Sequence, residues 1–481
     1  MCVIFVNDIN DTNDINDTNE KMTYPEAVRY LESFINYEKI SCWSYKESLK
    51  LERIRNFLQI IGNPQDSLRC IHVAGTKGKG STCAFIAYIL REANFKVGLY
   101  TSPHLSDFRE RIRILSSPLT THNSQLEFEG LISKDELTKL VERLKPAIEK
   151  YNQKSEYGPL SFFEVYTALA FIYFREKKVD FAVLETGLGG RLDATNVVKP
   201  LVVAITPISY EHTQKLGYTL REIATEKAGI IKTQDSTVIS APQEKEVMEV
   251  IREKCEEISA KLYEVGEDIV YLKTKDGFSV KGISGKYSGL KIRLLGEHQL
   301  VNATLAIGLI EGLRFYNIHV GIDSIRAGIY NTVWPGRCEV ISKEPLIVLD
   351  GAQNIASSIV LKKAIKENFS AKGARLQDGQ GSASGGKYQK LILVLGICND
   401  KDIEGICKEL SDFAEVVVLT KANSPRATAP ETLAKYFNGK PVYITNNVKE
   451  AKAQAFRIAK KEDLIVVTGS LFVVGEFRND K

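Results

Sequence analysis

The run CIHVAGTKGKGST, Cys70 to Thr82, restricts what this chain can fold into more than any other stretch. An apolar, strand-like segment passes directly into a glycine loop, and from Ser81 to Phe95 apolar residues recur at helical spacing. A strand, a glycine loop and a helix in that order make a phosphate cradle. Gly75, Gly78 and Gly80 let backbone N–H groups turn toward phosphate oxygens, with Thr76 in the same loop, and the helix N-terminus adds partial positive charge. Lys79 would neutralise the β- and γ-phosphates and Ser81 would offer its hydroxyl to Mg²⁺. The common loop runs Gly, four residues, Gly-Lys-Ser/Thr; here Gly80 is interposed between Lys79 and Ser81. The alternative is a plain glycine-rich turn with an exposed lysine, and the strand-loop-helix context favours the nucleotide.

The rest of the chain repeats the same alternation. KVGLYTSP, DFAVLETG, LVVAITPIS and STVISAP are apolar runs ending in Gly, Pro, Ser or Thr, with helical segments between them. This predicts a parallel sheet covered on both faces, whose working groups gather beyond the carboxyl ends of the strands. Lys261 to Arg293 changes to short polar-apolar alternation and predicts a small antiparallel excursion. Trp334-Pro335-Gly336 is a strong breaker, and PLIVLDGA, KLILVLGI, EVVVLTK, PVYIT and DLIVVTGS then form a second α/β series. The expected division is a disordered tail over 1–22, a first domain over 23–334 and a second over 335–481, with a cleft between the two domains. The tail contains the near-repeat NDINDTNDINDTNE, which has little to bury and is missing the glycine-and-terminal-glutamate pattern of a calcium loop. Ala371 to Gln389 is rich in Gly and Ser and reads as a surface loop.

Composition narrows the function class. With 481 residues, 44% hydrophobic and 26% charged, the chain can build substantial cores. A net charge of +4 spread over this length argues against a nucleic-acid partner. The eight cysteines are scattered without a CxxC pair, which predicts free buried thiols and a reducing compartment. MCVIFV is too short and uncharged for a signal peptide and no apolar run reaches membrane-spanning length, so a cytoplasmic protein without a membrane partner is expected.

Other groups fall at the same sheet edge. Glu185 ends the strand DFAVLE, where a carboxylate can face a phosphate-bound metal; a capping or ion-paired glutamate is the alternative. His212 follows LVVAITPIS at the equivalent place, with a hydrogen-bonded structural histidine as its alternative. Lys227 lies on a helical segment, and spacing alone assigns it no role.

HVAGTKGKGST, YTSPHLSDFRERIRI, PLSFFE, LETGLGGRLDATNV, EHTQKLGYTLREIATEKAGI, GEHQLVNATLAI, WPGRCEV, LDGAQN and VTGSL occur in the order seen in the folylpolyglutamate synthase/dihydrofolate synthase family. The chain resembles that family, part of the wider Mur ligase superfamily, from about Tyr24 to Phe477. The peptidoglycan-precursor ligases of the superfamily usually carry a nucleotide-sugar domain before the loop; the short segment ahead of His72 favours the folate branch.

The resemblance implies an α/β fold with a P-loop parallel-sheet ATPase domain followed by a smaller Rossmann-like α/β ligase domain. It also implies ATP and Mg²⁺, a monomer, and an activity that phosphorylates a carboxylate so that the amino group of L-glutamate displaces phosphate. Dihydropteroate or a reduced folate would supply the carboxylate. By the same carry-over Ser81, Glu185, His212 and Ser102 would hold magnesium, and Lys227 matches the lysine that CO₂ carbamylates. Lys79, His212 and Lys227 would be catalytic. Asn302, Arg337 and Asp350 would contact nucleotide. Ser161, Phe162, Phe163 and Glu164, with Leu192, Asp193 and Ala194, resemble dihydropteroate-binding segments, although an aromatic pair opening a helix is more often core. Gln353 stands where relatives commonly have histidine, so a nucleotide-orienting role survives there but a cationic one does not. The alternatives are a Mur-like ligase acting on another carboxylate and a degenerate nucleotide-binding module.

Overall fold

The computed structural model describes residues 21–40, 43–117, 128–369 and 388–479. The tail repeat, Cys2, Cys42 and most of the Gly/Ser-rich stretch from Ala371 lie outside the described residues. The first sheet is built from β1 (Cys70–Ala74), β2 (Val97–Tyr100), β3 (Ile112–Leu115), β4 (Phe181–Glu185), β5 (Pro200–Ile205), β6 (Thr237–Ser240) and β7 (Lys261–Glu264). Their order is β3-β2-β4-β1-β5-β6-β7. All pairs are parallel except β2 with β3.

The central strands β1 and β4 are buried along their whole length, as continuous apolar runs covered on both faces should be. The Lys79–Glu92 helix covers one face together with the His298–Gly312 and Ile322–Asn331 helices. On the other face the Phe162–Glu176 helix packs with the Leu51–Ile60 and Lys134–Lys154 helices. The Phe162–Glu176 helix begins where Ser161 and Glu164 form a reciprocal capping box.

Because β1, β2, β4 and β5 run the same way, their carboxyl ends meet at one edge. Val73 pairs with Glu185, and Ala74 with Ile205, so the segments that follow these strands emerge side by side. The predicted antiparallel excursion is a three-stranded sheet of β8 (Val270–Thr274), β9 (Gly277–Lys281) and β10 (Lys286–Leu290). Lys261–Glu264 is not part of it; that segment extends the main sheet as parallel β7.

The second sheet comprises β11 (Glu339–Lys343), β12 (Leu346–Leu349), β13 (Leu391–Leu395), β14 (Val416–Leu419), β15 (Val442–Ile444) and β16 (Leu464–Thr468), in the order β11-β12-β16-β13-β14-β15. Five of these are the expected runs; β11 adds an antiparallel edge. Between the sheets, Trp334 packs against the core of the first. Two residues on, the Gly336 carbonyl accepts from the Gly351 amide at 3.0 Å and the Gly336 N–H donates to Glu339 Oε2 at 2.9 Å, which fastens Gly336 to the second. Cys70, Cys83, Cys255, Cys338, Cys398 and Cys407 are free and buried. Among the described residues no helix is long and apolar enough to cross a membrane.

Candidate active site

The loop after β1 turns on two glycines. Gly75 has φ +147° with Thr206 against it, and Gly78 has φ +84° and caps the Lys79–Glu92 helix. Both values lie where a side chain is strained. A Cβ on Gly78 would also lie 2.3 Å from Asn302 Oδ1, so Asn302 comes from the His298–Gly312 helix to the mouth of the loop. Asn302 donates to Gln299 Oε1 at 2.9 Å, and Gln299 donates to Ser81 Oγ at 3.4 Å.

Thr76, expected in the phosphate cradle, also ties the loop down. Its amide and that of Lys77 donate to the Pro207 carbonyl at 3.1 and 3.2 Å, and its hydroxyl donates to the Ser209 carbonyl at 3.2 Å. These bonds tie the loop to the segment after β5, which makes Thr76 an anchor. The N–H groups left for an anion are those of the helix's first turn, which have no partner within the helix.

Lys79 Nζ donates to the Gly75 carbonyl at 3.2 Å, and Lys227 Nζ donates to the same oxygen at 2.7 Å. The helix carrying Lys227, Leu220–Ala228, thus returns its last turn to the sheet edge. Lys227 is buried, and burial followed by the charge of Lys79 lowers its pKa to about 7. Glu185 is also buried. Its Oε2 accepts the Ser102 amide at 3.1 Å, and burial raises its pKa against the pull of Lys79, the Ser102 amide and Arg337. His212 stands in the left-handed region at φ 53°, capping the Thr213–Leu216 turn. Burial lowers its pKa to about 3 against the opposing charge of Glu211, so its imidazole is neutral with a free electron pair.

No cluster of three or more His, Cys, Asp or Glu side chains that could hold a metal is found among the described residues. The donor set at the edge is instead one carboxylate, the hydroxyls of Ser81 and Ser102, and a neutral imidazole. That set fits magnesium, which needs few protein ligands and takes the rest from phosphate and water.

A cavity of about 190 Å³ opens from this edge and is walled by both domains. Phe163, Leu192, Ala194 and Trp43 line it from the first domain; Gln353, Lys401 and Arg426 line it from the second. Phe162, expected at the substrate, does not line this cavity. It is fully buried, with the Arg111 guanidinium 5.1 Å from its ring, and belongs to the core. Ser161, Glu164 and Asp193 reach the cavity wall, but their polar atoms hold the wall in place. Glu164 takes the Ser161 amide and hydroxyl at 2.7 and 2.6 Å on one oxygen and pairs with Arg53 at 2.8 Å through the other. Asp193 accepts from the amides of Gly187, Leu188 and Thr195 and from the Thr195 hydroxyl.

Arg337 and Glu185 border a smaller space above Gly80, with Trp334 and Leu471. A Cβ on Gly351 would meet Arg337 Nη1 at 2.4 Å, so Arg337 lies over the turn after β12. Asp350 accepts the amides of Cys338 and Ala352 at 2.9 and 2.8 Å and shapes that turn.

Sequence reasoning missed Lys401 and Arg426. Lys401 is 9% exposed and lies 3.9 Å from Glu211 and 3.8 Å from Asp400. Arg426 pairs with Asp400 at 2.5 Å and donates to the Glu38 carbonyl at 2.6 Å. The signal was available: both follow carboxyl ends of strands in the second sheet, where the rule that located Glu185 and His212 applies equally.

Comparison with known proteins decides the family. The Mur ligase middle domain matches residues 150–310, and the Mur ligase glutamate ligase domain matches residues 379–471. The dihydrofolate synthase/folylpolyglutamate synthase of Bacillus subtilis is 34% identical over 442 residues, covering 89% of this chain and 94% of that one. The chain belongs to the folylpolyglutamate synthase/dihydrofolate synthase family of the Mur ligase superfamily. A second member of the family, the folylpolyglutamate synthase of Lacticaseibacillus casei, is 31% identical over 467 residues, covering 95% of this chain and 98% of its own. Among solved structures, the Mycobacterium tuberculosis folylpolyglutamate synthase complexed with ADP matches with a TM-score of 0.81 at 29% identity, over 95% of this chain and 97% of that one. Escherichia coli FolC in complex with DHPP and ADP matches at 0.74 and 27%, over 95% and 96%. As a member of the folylpolyglutamate synthase/dihydrofolate synthase family, the chain is an ATP-dependent carbon–nitrogen ligase with the expected pair of α/β domains.

Proposed function

We propose that this chain joins L-glutamate to the carboxylate of dihydropteroate, of a reduced folate, or of both, using ATP. The observation that carries the reading is the convergence of Lys79, Lys227, Glu185, Ser102 and His212 on one sheet edge that opens into a cavity walled by both domains. A carboxylate is a poor electrophile. Transfer of the γ-phosphoryl group to one of its oxygens creates an acyl phosphate, and the glutamate amine then forms the amide bond as inorganic phosphate leaves.

The work of the protein is charge neutralisation and alignment. Lys79 and the first-turn amides hold the phosphates. Glu185, Ser81, Ser102 and His212 would hold magnesium, which supplies charge neutralisation at the phosphates when bound. Asn302 and Arg337 border the nucleotide, Asp350 shapes the turn that presents Arg337, and Gln353 lines the cavity beside them. Lys227, with its pKa brought to about 7, is in part the neutral amine that CO₂ can carbamylate at neutral pH. Phe163, Leu192 and Ala194 offer an apolar wall to the pterin, and Lys401 and Arg426 offer cations to the carboxylates of glutamate or folate. The working units are 23–334 and 335–481, and the enzyme acts as a monomer in the cytoplasm. The six cysteines among the described residues, all free and buried, suit that compartment.

The test is glutamate-dependent release of phosphate from ATP, with dihydropteroate, tetrahydrofolate and a muramyl substrate in parallel. Release with either pterin is expected. Release with the muramyl substrate alone overturns the assignment.

A further inference from the structure

Gly80 is the residue that separates this loop from the common P-loop, and its backbone gives no reason for a glycine. It lies inside the first turn of the Lys79–Glu92 helix with no left-handed φ, in contrast to Gly75 and Gly78. A glycine within a helix weakens it relative to alanine. The reason is therefore space, and the nearest atoms identify what fills it. A Cβ on Gly80 would lie 2.9 Å from Trp334 Cζ2, 3.1 Å from its Nε1 and 3.2 Å from its Cε2.

That indole is held from other sides. The Phe128 ring meets it edge-on with centroids 6.0 Å apart. The Arg113 guanidinium lies 5.7 Å from the indole and 5.2 Å from the Phe128 ring, and Arg113 is fixed in turn by its Nε donating to the Glu129 carbonyl at 2.7 Å. Arg113 is fully buried on β3, the edge strand, so its cation–π contacts act away from water. Trp334 is also the last residue packed on the first core before Gly336, which is bonded to the second domain, and Arg337 follows.

We propose that Trp334 is a positioning residue for the phosphate loop. Its indole, seated on Gly80 and backed by Phe128 and Arg113, fixes the first helical turn relative to the linker that carries Arg337. The inference rests on the assignment of that loop to ATP phosphates. It makes Gly80 a receptor for the indole, so the second domain's Arg337 and the first domain's Lys79 are set against each other through one ring.

A double-mutant cycle on the full-length enzyme tests this, with KM for ATP, KM for the pterin substrate and kcat measured for the parent, Gly80→Ala, Trp334→Leu and both together. Gly80→Ala in the parent should raise KM for ATP by about tenfold or more, whereas in the Trp334→Leu background the same change should cost less than about twofold. Trp334→Leu alone should raise KM for ATP several-fold and leave KM for the pterin substrate within about twofold. A Gly80→Ala penalty of equal size in both backgrounds overturns the proposal, because the glycine would then be required by the nucleotide itself. Should Trp334→Leu fail to fold, Trp334→Phe carries the same cycle, since its single ring is shorter than the fused ring that faces Gly80. Lys79→Ala separates the two ideas: loss of ATP binding with no Gly80–Trp334 coupling sinks the ring proposal alone, and unchanged ATP binding sinks the loop assignment as well.

Discussion

Two ammonium groups share one acceptor in this site, since Lys79 and Lys227 both donate to the Gly75 carbonyl. Lys227 is the buried member, and its pKa falls from 10.5 to about 7. Below about pH 7 the folded and unfolded chains both carry its proton, and folding bears the full cost of burying the cation. Between about 7 and 10.5 the unfolded chain binds more protons, so the stability contributed at this position rises with pH. Denaturant unfolding in CO₂-free buffer should show the parent gaining on Lys227→Met as pH rises through that window, with a flat difference below it. A difference that stays flat through that window would mean the lysine is held charged. At Gln353 the missing charge gives a second prediction. Gln353→His should change KM for ATP by no more than about threefold, and a turnover gain above about tenfold would show that catalysis is impaired at this position.

Close approach of two helices governs the element scale. The Ile322–Asn331 helix crosses the Lys79–Glu92 helix at Gly328, where a Cβ would lie 2.4 Å from Ile89 Cα. Backbone cannot yield as a side-chain tip does, so Gly328→Ala should destabilise the fold by about 1–3 kcal/mol, read from the urea midpoint. The strand, loop and helix around Lys79 were legible in the sequence because their signals are local: a continuous apolar run, clustered glycines and a helical period. Edge strands of the two large sheets were not, apart from β15. β3 carries Arg113 into the core and β11 is only partly buried, so neither shows the apolar run of a central strand. Lys261–Glu264 is half-exposed, and its alternation looks the same for a parallel edge as for a hairpin. The Lys245–Ile258 helix that crosses between β6 and β7 is what makes the pairing parallel.

At the scale of the whole molecule the cavity is a joint product of two domains. Arg426, after β14, reaches the Glu38 carbonyl, and the Glu38 carboxylate pairs with the buried Arg111 at 2.5 Å. Arg426→Ala should raise KM for the pterin substrate about tenfold while KM for ATP stays within about twofold; equal effects on both would assign Arg426 to domain closure in general. The strand-end placement of Lys401 and Arg426 was readable, but their meeting with the first domain was not. Glu185 and His212 are placed by neighbouring strands of one sheet, whereas Lys401 and Arg426 reach the first domain only through the docking of a second sheet, which no short-range pattern encodes. The Arg426–Glu38 bond joins residues 388 apart. Loop length adds to its entropy cost only logarithmically, but the order of synthesis matters more. β14 is held in its sheet through β13 and β16, and β16 is the last strand of that sheet in chain order. A growing chain therefore owns its phosphate loop long before it owns the far wall of its pocket, and an unfinished enzyme has no complete place in which to capture a pterin.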